Sequence, residues 1–111
     1  MFSIIFKLNN FQVRAANNIR SLFRELNKKI PDLLIIDITS DGKDGREVCK
    51  HLKAKSGLKR IPIVLMSTNP NQLSNYKDYW ADDILEKPFN IQKMVAKAKS
   101  LIQKNYWQRN V

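Results

Sequence analysis

Apolar and polar positions along the chain fall into a few distinct blocks. Leu33 to Ile36 is an unbroken apolar run, opened by Pro31 and followed by Asp37 and Ile38. A run of this kind predicts a strand buried on both faces of a parallel sheet. Ile61 to Met66 predicts a second buried strand, with Ser67 and Thr68 at its carboxyl end. Ile84-Leu85 predicts a short third strand, followed by Glu86, Lys87, Pro88 and Phe89. Between these runs the spacing turns helical. Leu22, Phe23 and Leu26 give an inward face to a helix over 18–29 that Pro31 ends. Val48, Cys49 and Leu52 do the same over 45–55, and Ser56-Gly57 closes that helix. Asn69-Pro70-Asn71 opens a short polar helix over 72–79. Asn90 can cap a last helix whose stripe is Ile91, Met94, Val95, Ala98, Leu101 and Ile102. Strands alternating with helices imply βα units, a parallel sheet and right-handed crossovers.

The first thirty residues carry competing patterns. Phe2, Ile4, Ile5, Phe6 and Leu8 suit a short strand or the end of a helix. Phe11 to Ala15 alternates like a strand, yet Phe11, Ala15, Ile19, Leu22, Leu26 and Ile30 also form one helical stripe.

Composition narrows the class. The 111 residues are 43% apolar, enough for one domain with one core over 1–111 and no effector domain. One cysteine, Cys49, excludes an internal disulfide and fits a reducing, cytoplasmic setting. No apolar run approaches the roughly 20 residues of a membrane span. The net charge of +10 is high, with no acid after Glu86, which allows an acidic partner or nucleic acid. No recognisable DNA-reading motif accompanies that charge.

The candidate chemistry sits at strand ends. Asp37, Ser67 and Lys87 follow three successive strands, and carboxyl ends are where open α/β sheets keep reactive groups. Neighbouring strands lie about 4.8 Å apart, so the three can converge. A carboxylate nucleophile, a hydroxyl and an ammonium suit an acyl phosphate, the last two binding phosphoryl oxygens. Asp37 also has a structural reading, as a helix cap or a partner for a loop amide.

Here the chain resembles the receiver domain of two-component response regulators. Pro31 to Asp37 looks like that family's third strand with its phosphoacceptor, and Asp44-Gly45 stands where its Asp-Gly opens the next helix. Ile61 to Ser67 is similar to the fourth strand with its Ser/Thr. Ala81-Asp82-Asp83-Ile84-Leu85-Glu86-Lys87-Pro88-Phe89 is close to the family's Ala-Asp-Asp-Tyr-Leu-x-Lys-Pro-Phe. The resemblance implies a flavodoxin-like, doubly wound parallel sheet with helices on both faces, a three-layer α/β/α sandwich. It also implies Asp37 as phosphoacceptor, Ser67, Thr68 and Lys87 as the phosphoryl-binding and switch residues, a cis bond at Pro88, and Mg²⁺ assistance.

The departures from the family carry as much weight. The acidic pair that helps hold Mg²⁺ is absent, since no Asp or Glu precedes Glu25. Asp37 and the backbone carbonyl of Thr39 would then make a weak site. Ile84 replaces the aromatic switch residue, Asp41 replaces a loop proline, and Trp80 takes a place where the family usually has Gly. Aligned back from Asp37, Phe11 to Ala16 takes the place of the second strand. Phe2 to Asn10 takes the end of the first helix, so the fold is expected to be shortened by its whole first strand. Alternatively, Met1 to Leu8 fills that slot as a strand and Phe11 to Lys29 forms one long helix. An uncovered central strand would favour a homodimer.

Three functions follow from this reading. In the first, a histidine kinase or phosphotransfer protein phosphorylates Asp37 and a downstream protein partner reads the change; the chain is not itself an enzyme. In the second, a degenerate receiver binds its partner without phosphorylation. The third, a basic nucleic-acid binder, has the least support.

Overall fold

The computed structural model describes residues 3–7, 12–39 and 42–109. Its strands are β1 (Ser3–Lys7), β2 (Gln12–Ala16), β3 (Leu33–Asp37), β4 (Ile63–Ser67) and β5 (Asp83–Glu86). Its helices are α1 (Ile19–Lys28), α2 (Gly45–Lys53), the short α3 (Pro70–Leu73) and α4 (Ile91–Arg109), with a 3-10 turn over Tyr76–Tyr79. One sheet runs in the order β2-β1-β3-β4-β5.

The unbroken apolar runs have a direct cause. Successive side chains of a strand point to opposite faces, and both faces here are cores. Leu34, Ile36, Ile63 and Leu65 pack with Leu22 and Leu26 of α1 and Val48, Cys49 and Leu52 of α2. Leu33, Ile35, Val64 and Met66 pack with Met94, Ala98 and Ile102 of α4. The result is the expected three-layer, flavodoxin-like α/β/α fold. Burial pushes the Cys49 thiol up to about 12, so it stays a neutral core group.

The amino terminus keeps one half of each reading: a strand within Met1 to Leu8 fills the vacant slot, and the second strand also forms in place of the long helix. Ser3–Lys7 is neither a helix end nor missing from the sheet. It fills the central slot between β2 and β3, antiparallel to both. Ile5 turns to one core while Ile4 and Phe6 turn to the other, so this segment belongs where two faces are covered. Phe11 lies outside the described residues, but Gln12–Ala16 does form the edge strand that takes the place of the second strand. The single long helix does not form, because Asn18 stops it. The Asn18 side chain accepts from the Ser21 N–H at 2.8 Å, and the Ser21 hydroxyl accepts from the Asn18 N–H at 3.3 Å. That reciprocal cap starts α1 at Ile19 and leaves the preceding residues to the sheet. The bare β3 edge, on which the homodimer expectation rested, is covered by β1.

Trp80 acquires a physical account. It ends the 3-10 turn with φ 63°, the left-handed conformation that glycine adopts freely. Its ring is 53% exposed and lies under the Lys50 ammonium, 5.8 Å from the ring centroid. The backbone cost for such a residue is about 1–2 kcal/mol, against about 0.5–1 kcal/mol returned by an exposed cation–π contact. Asparagine tolerates this conformation, so Trp80→Asn is expected to raise stability by about 0.5–1 kcal/mol. Denaturant midpoints at constant slope measure it. A lower midpoint would mean that the ring's contacts outweigh the strain.

Candidate functional site

The carboxyl ends of the parallel strands bring Asp37 and Lys87 together. Asp37 closes β3, paired in register with Met66 of β4. Its side chain is 6% exposed, and its Oδ2 accepts from the Lys87 Nζ at 2.5 Å. Lys87 is positioned by the end of β5, where its N–H donates to the Ser67 carbonyl at 2.9 Å. The Lys87–Pro88 peptide is cis. Asp37 Oδ1 accepts from the Thr39 N–H at 3.0 Å and from the Thr39 hydroxyl at 3.3 Å. Both carboxylate oxygens therefore have partners within the chain.

Ser67 ends β4 beside this pair but does not join it. Its buried hydroxyl donates to Gln72 Oε1 at 2.6 Å and accepts from the Asn69 N–H at 3.0 Å. Thr68 is exposed. Ile84 is half-buried against the core of Leu65 and Leu73, with no ring to swing between positions. Two contributions escaped the reading of the sequence: the paired donors of Thr39 and the hold of Gln72 on Ser67. The only signal for the second is the spacing of Gln72 behind the Asn69-Pro70 helix start.

The loop below the site depends on a close approach. Gly45 begins α2 directly against the end of β3. A Cβ there would lie 2.5 Å from the Asp37 carbonyl oxygen and 2.9 Å from Ile38 Cα. Asp44 caps α2 by accepting the Arg46 N–H at 2.9 Å and also takes the Arg46 guanidinium through Nε and Nη2. The Arg46 side-chain hydrogen bond holds the Asp44 carboxyl below its ordinary range, so Asp44 stays ionised and committed to the helix.

These residues do not suit a divalent cation. Mg²⁺ takes hard oxygen ligands in a near-octahedral set, anchored by carboxylates. Among the described residues, no group of three or more His, Cys, Asp and Glu is placed to hold a metal. Asp41 lies outside the described residues. The reversal of β1 brings Ser3 to this end of the sheet, opposite Ile36. Its buried hydroxyl has no hydrogen-bond partner among the described residues, and a neutral hydroxyl does not replace an acidic pair.

The chain is thus a mixed α/β sheet whose parallel strands end in a buried carboxylate held by a lysine. The chain's relatives give the family. The model of the response regulator receiver domain matches residues 1–99, and the chain belongs to that family. It is 29% identical over 106 residues to the phosphate regulon transcriptional regulatory protein PhoB of Escherichia coli, a match covering 94% of this chain and 46% of the relative. The chain thus spans about half the length of the curated relatives it matches.

Solved structures agree. The signal receiver domain of a signal transduction histidine kinase from Syntrophus aciditrophicus superposes with a TM-score of 0.72 at 28% identity, covering 86% of this chain and 74% of that one. A two-component response regulator from Clostridium difficile gives a TM-score of 0.68 at 26% identity, covering 79% and 72%.

Proposed function

We propose that this receiver domain signals by binding a protein partner, with Asp37 as a fixed structural acid in place of an Mg²⁺-assisted phosphoryl acceptor. The observation that carries this reading is the state of Asp37. Its two oxygens accept from Lys87 and Thr39, and among the described residues it belongs to no group of three or more His, Cys, Asp and Glu placed to hold a metal. These donors hold the carboxylate in one orientation within the chain. Ser67, tied to Gln72 and Asn69, is not poised to follow a phosphoryl group. The setting proposed is cytoplasmic, and among the described residues no helix is long and apolar enough to cross a membrane.

A second reading has one observation in its favour. Lys87 reaches Asp37 at the carboxyl end of the sheet, the pairing an aspartyl phosphate needs for charge neutralisation. In that reading an Asp37 oxygen attacks a phosphohistidine of a kinase or phosphotransfer protein. The P–N bond breaks, a P–O bond forms, and the side chain's charge goes from −1 on the carboxylate to about −1.5 to −2 on the acyl phosphate, which redirects Lys87.

Mg²⁺ titration followed by amide NMR, together with acetyl phosphate treatment read by intact mass, separates the two. The expected result is no shift at Asp37 or Thr39 in the millimolar range and no added phosphoryl mass. A phosphoryl adduct that disappears in Asp37→Asn would establish the second reading.

A further inference from the structure

At the end of the sheet opposite Asp37, the loops that enter β3 and β4 form a groove. One cleft of about 260 Å³ is floored by Ile30, Pro31, Ile61, Pro62 and Ile102, with Tyr106 on its rim. A second, of about 290 Å³, lies between Phe23 and Leu26 of α1 and Leu58 beyond α2. Ile30 and Gly57 line both clefts, so the two run together. Ile30 stands between them, 49% exposed.

The charge around this groove is mostly positive, with Asp32 the one acid in the lining of the two clefts. Lys28 ends α1 and Lys29 follows it, Lys55, Lys59 and Arg60 follow α2, and Lys104 lies on α4. All six are exposed, and none forms an ion pair among the described residues. The acids at this end already have cations. Asp32 lies 3.8 Å from Lys7. Asp82 lies 2.7 Å from Lys53 and accepts the Ile63 N–H at 2.8 Å. Uncompensated like charges around an apolar floor raise the local concentration of anions and speed their encounter.

The floor decides between kinds of anion. Nucleic acid single strands combine phosphate contacts with bases stacked on aromatic faces. The first cleft has an aliphatic floor of Ile30, Ile61, Ile102 and two prolines, a polar wall of Asp32, Ser56, Arg60 and Asn105, and Tyr106 as its one ring. Aliphatic clefts of this size take apolar side chains, and lysines and an arginine around them take carboxylates. We infer that this groove docks an acidic segment of a partner protein, with apolar side chains in the two clefts and carboxylates against Lys55, Arg60 and their neighbours. The inference deepens the protein-binding reading, and its test does not involve Asp37, so either can fail alone.

The test is fluorescence anisotropy on the full chain with a labelled peptide of alternating glutamate and leucine. A leucine-free glutamate peptide and a single-stranded DNA of matched charge serve as competitors. The leucine peptide is expected to bind with an affinity that falls as salt is raised. It is expected to shift the amide signals of Ile30, Gly57 and Arg60. The double variant Lys55→Glu, Arg60→Glu should weaken it about tenfold or more, as should Ile30→Asp, which alters an exposed side chain and leaves the core intact. Lys93→Glu, at the far end of α4, should bind as before. Equal affinity for the leucine-free peptide, tighter binding of the DNA, no binding, or shifts centred away from Ile30 and Arg60 would each overturn the inference.

Discussion

Phe6→Ala is expected to lower stability by about 3–5 kcal/mol, the usual cost of removing a fully buried ring. Phe6 is 0% exposed and lies in the core with Leu33, Ile35, Met66 and Met94. Its strand is central, held by β2 on one side and β3 on the other. The cavity left behind would open under α4, where the sheet cannot collapse without bending two partners. Against a total of about 5–15 kcal/mol for a domain, this loss brings the chain close to unfolding. Denaturant melts of wild type and variant measure it, with the slope held constant as a check on the two-state assumption. A cost below about 1 kcal/mol, typical of a surface position, would place residues 3–7 outside the sheet and restore the helix-end reading.

Gly45→Ala is the second large effect, and its sign is diagnostic. In an open helix the change stabilises by about 0.5–1 kcal/mol. Here the new Cβ would stand 2.5 Å from the Asp37 carbonyl oxygen and 2.9 Å from both Ile36 Cγ2 and Ile38 Cα. Two of those three neighbours are backbone of the strand that carries the site, so they cannot rotate away. α2 must lift from β3, and overpacking of this kind costs about 1–3 kcal/mol. The Gly45 N–H to Ile38 carbonyl bond, 2.9 Å long, would lengthen with it. Amide shifts at Asp37 and Thr39 should accompany the loss of stability. A neutral or stabilising substitution would show that α2 and β3 are spaced more widely than the structure gives.

Much of the fold was legible because burial on two faces writes itself into composition. Leu33 to Ile36 and Ile63 to Met66 had to be strands covered on both sides, since no other element of that length hides every residue in a row. Asp44, Asn69 and Asn90 marked helix starts, and each does accept a backbone N–H there. The motif around Lys87 was also legible, because four short patterns in one order and spacing are far more specific than any alone.

The amino terminus was less legible, for a reason that lies in the sheet itself. Apolar content says that a strand has covered faces; it does not say in which direction that strand runs or which neighbours it pairs with. Ile4, Ile5 and Phe6 could have met their partners in either sense, and register is set by neighbours far away in the chain. Only the assembled sheet shows β1 reversed, with Ser3 opposite Ile36 at the Asp37 end of the sheet.

The division between sequence and structure is sharpest at the site. The sequence alone determined the family, the three layers, and the placement of Asp37, Ser67 and Lys87 at strand ends, because these follow from local period and local chemistry. Tertiary structure decided that Asp37 meets Lys87 while Ser67 turns to Gln72, that Trp80 occupies a left-handed turn, and that six unpaired cations surround the groove at Ile30. Each of these depends on which rotamer, register or charge partner survives when distant segments pack, and no local pattern encodes that choice.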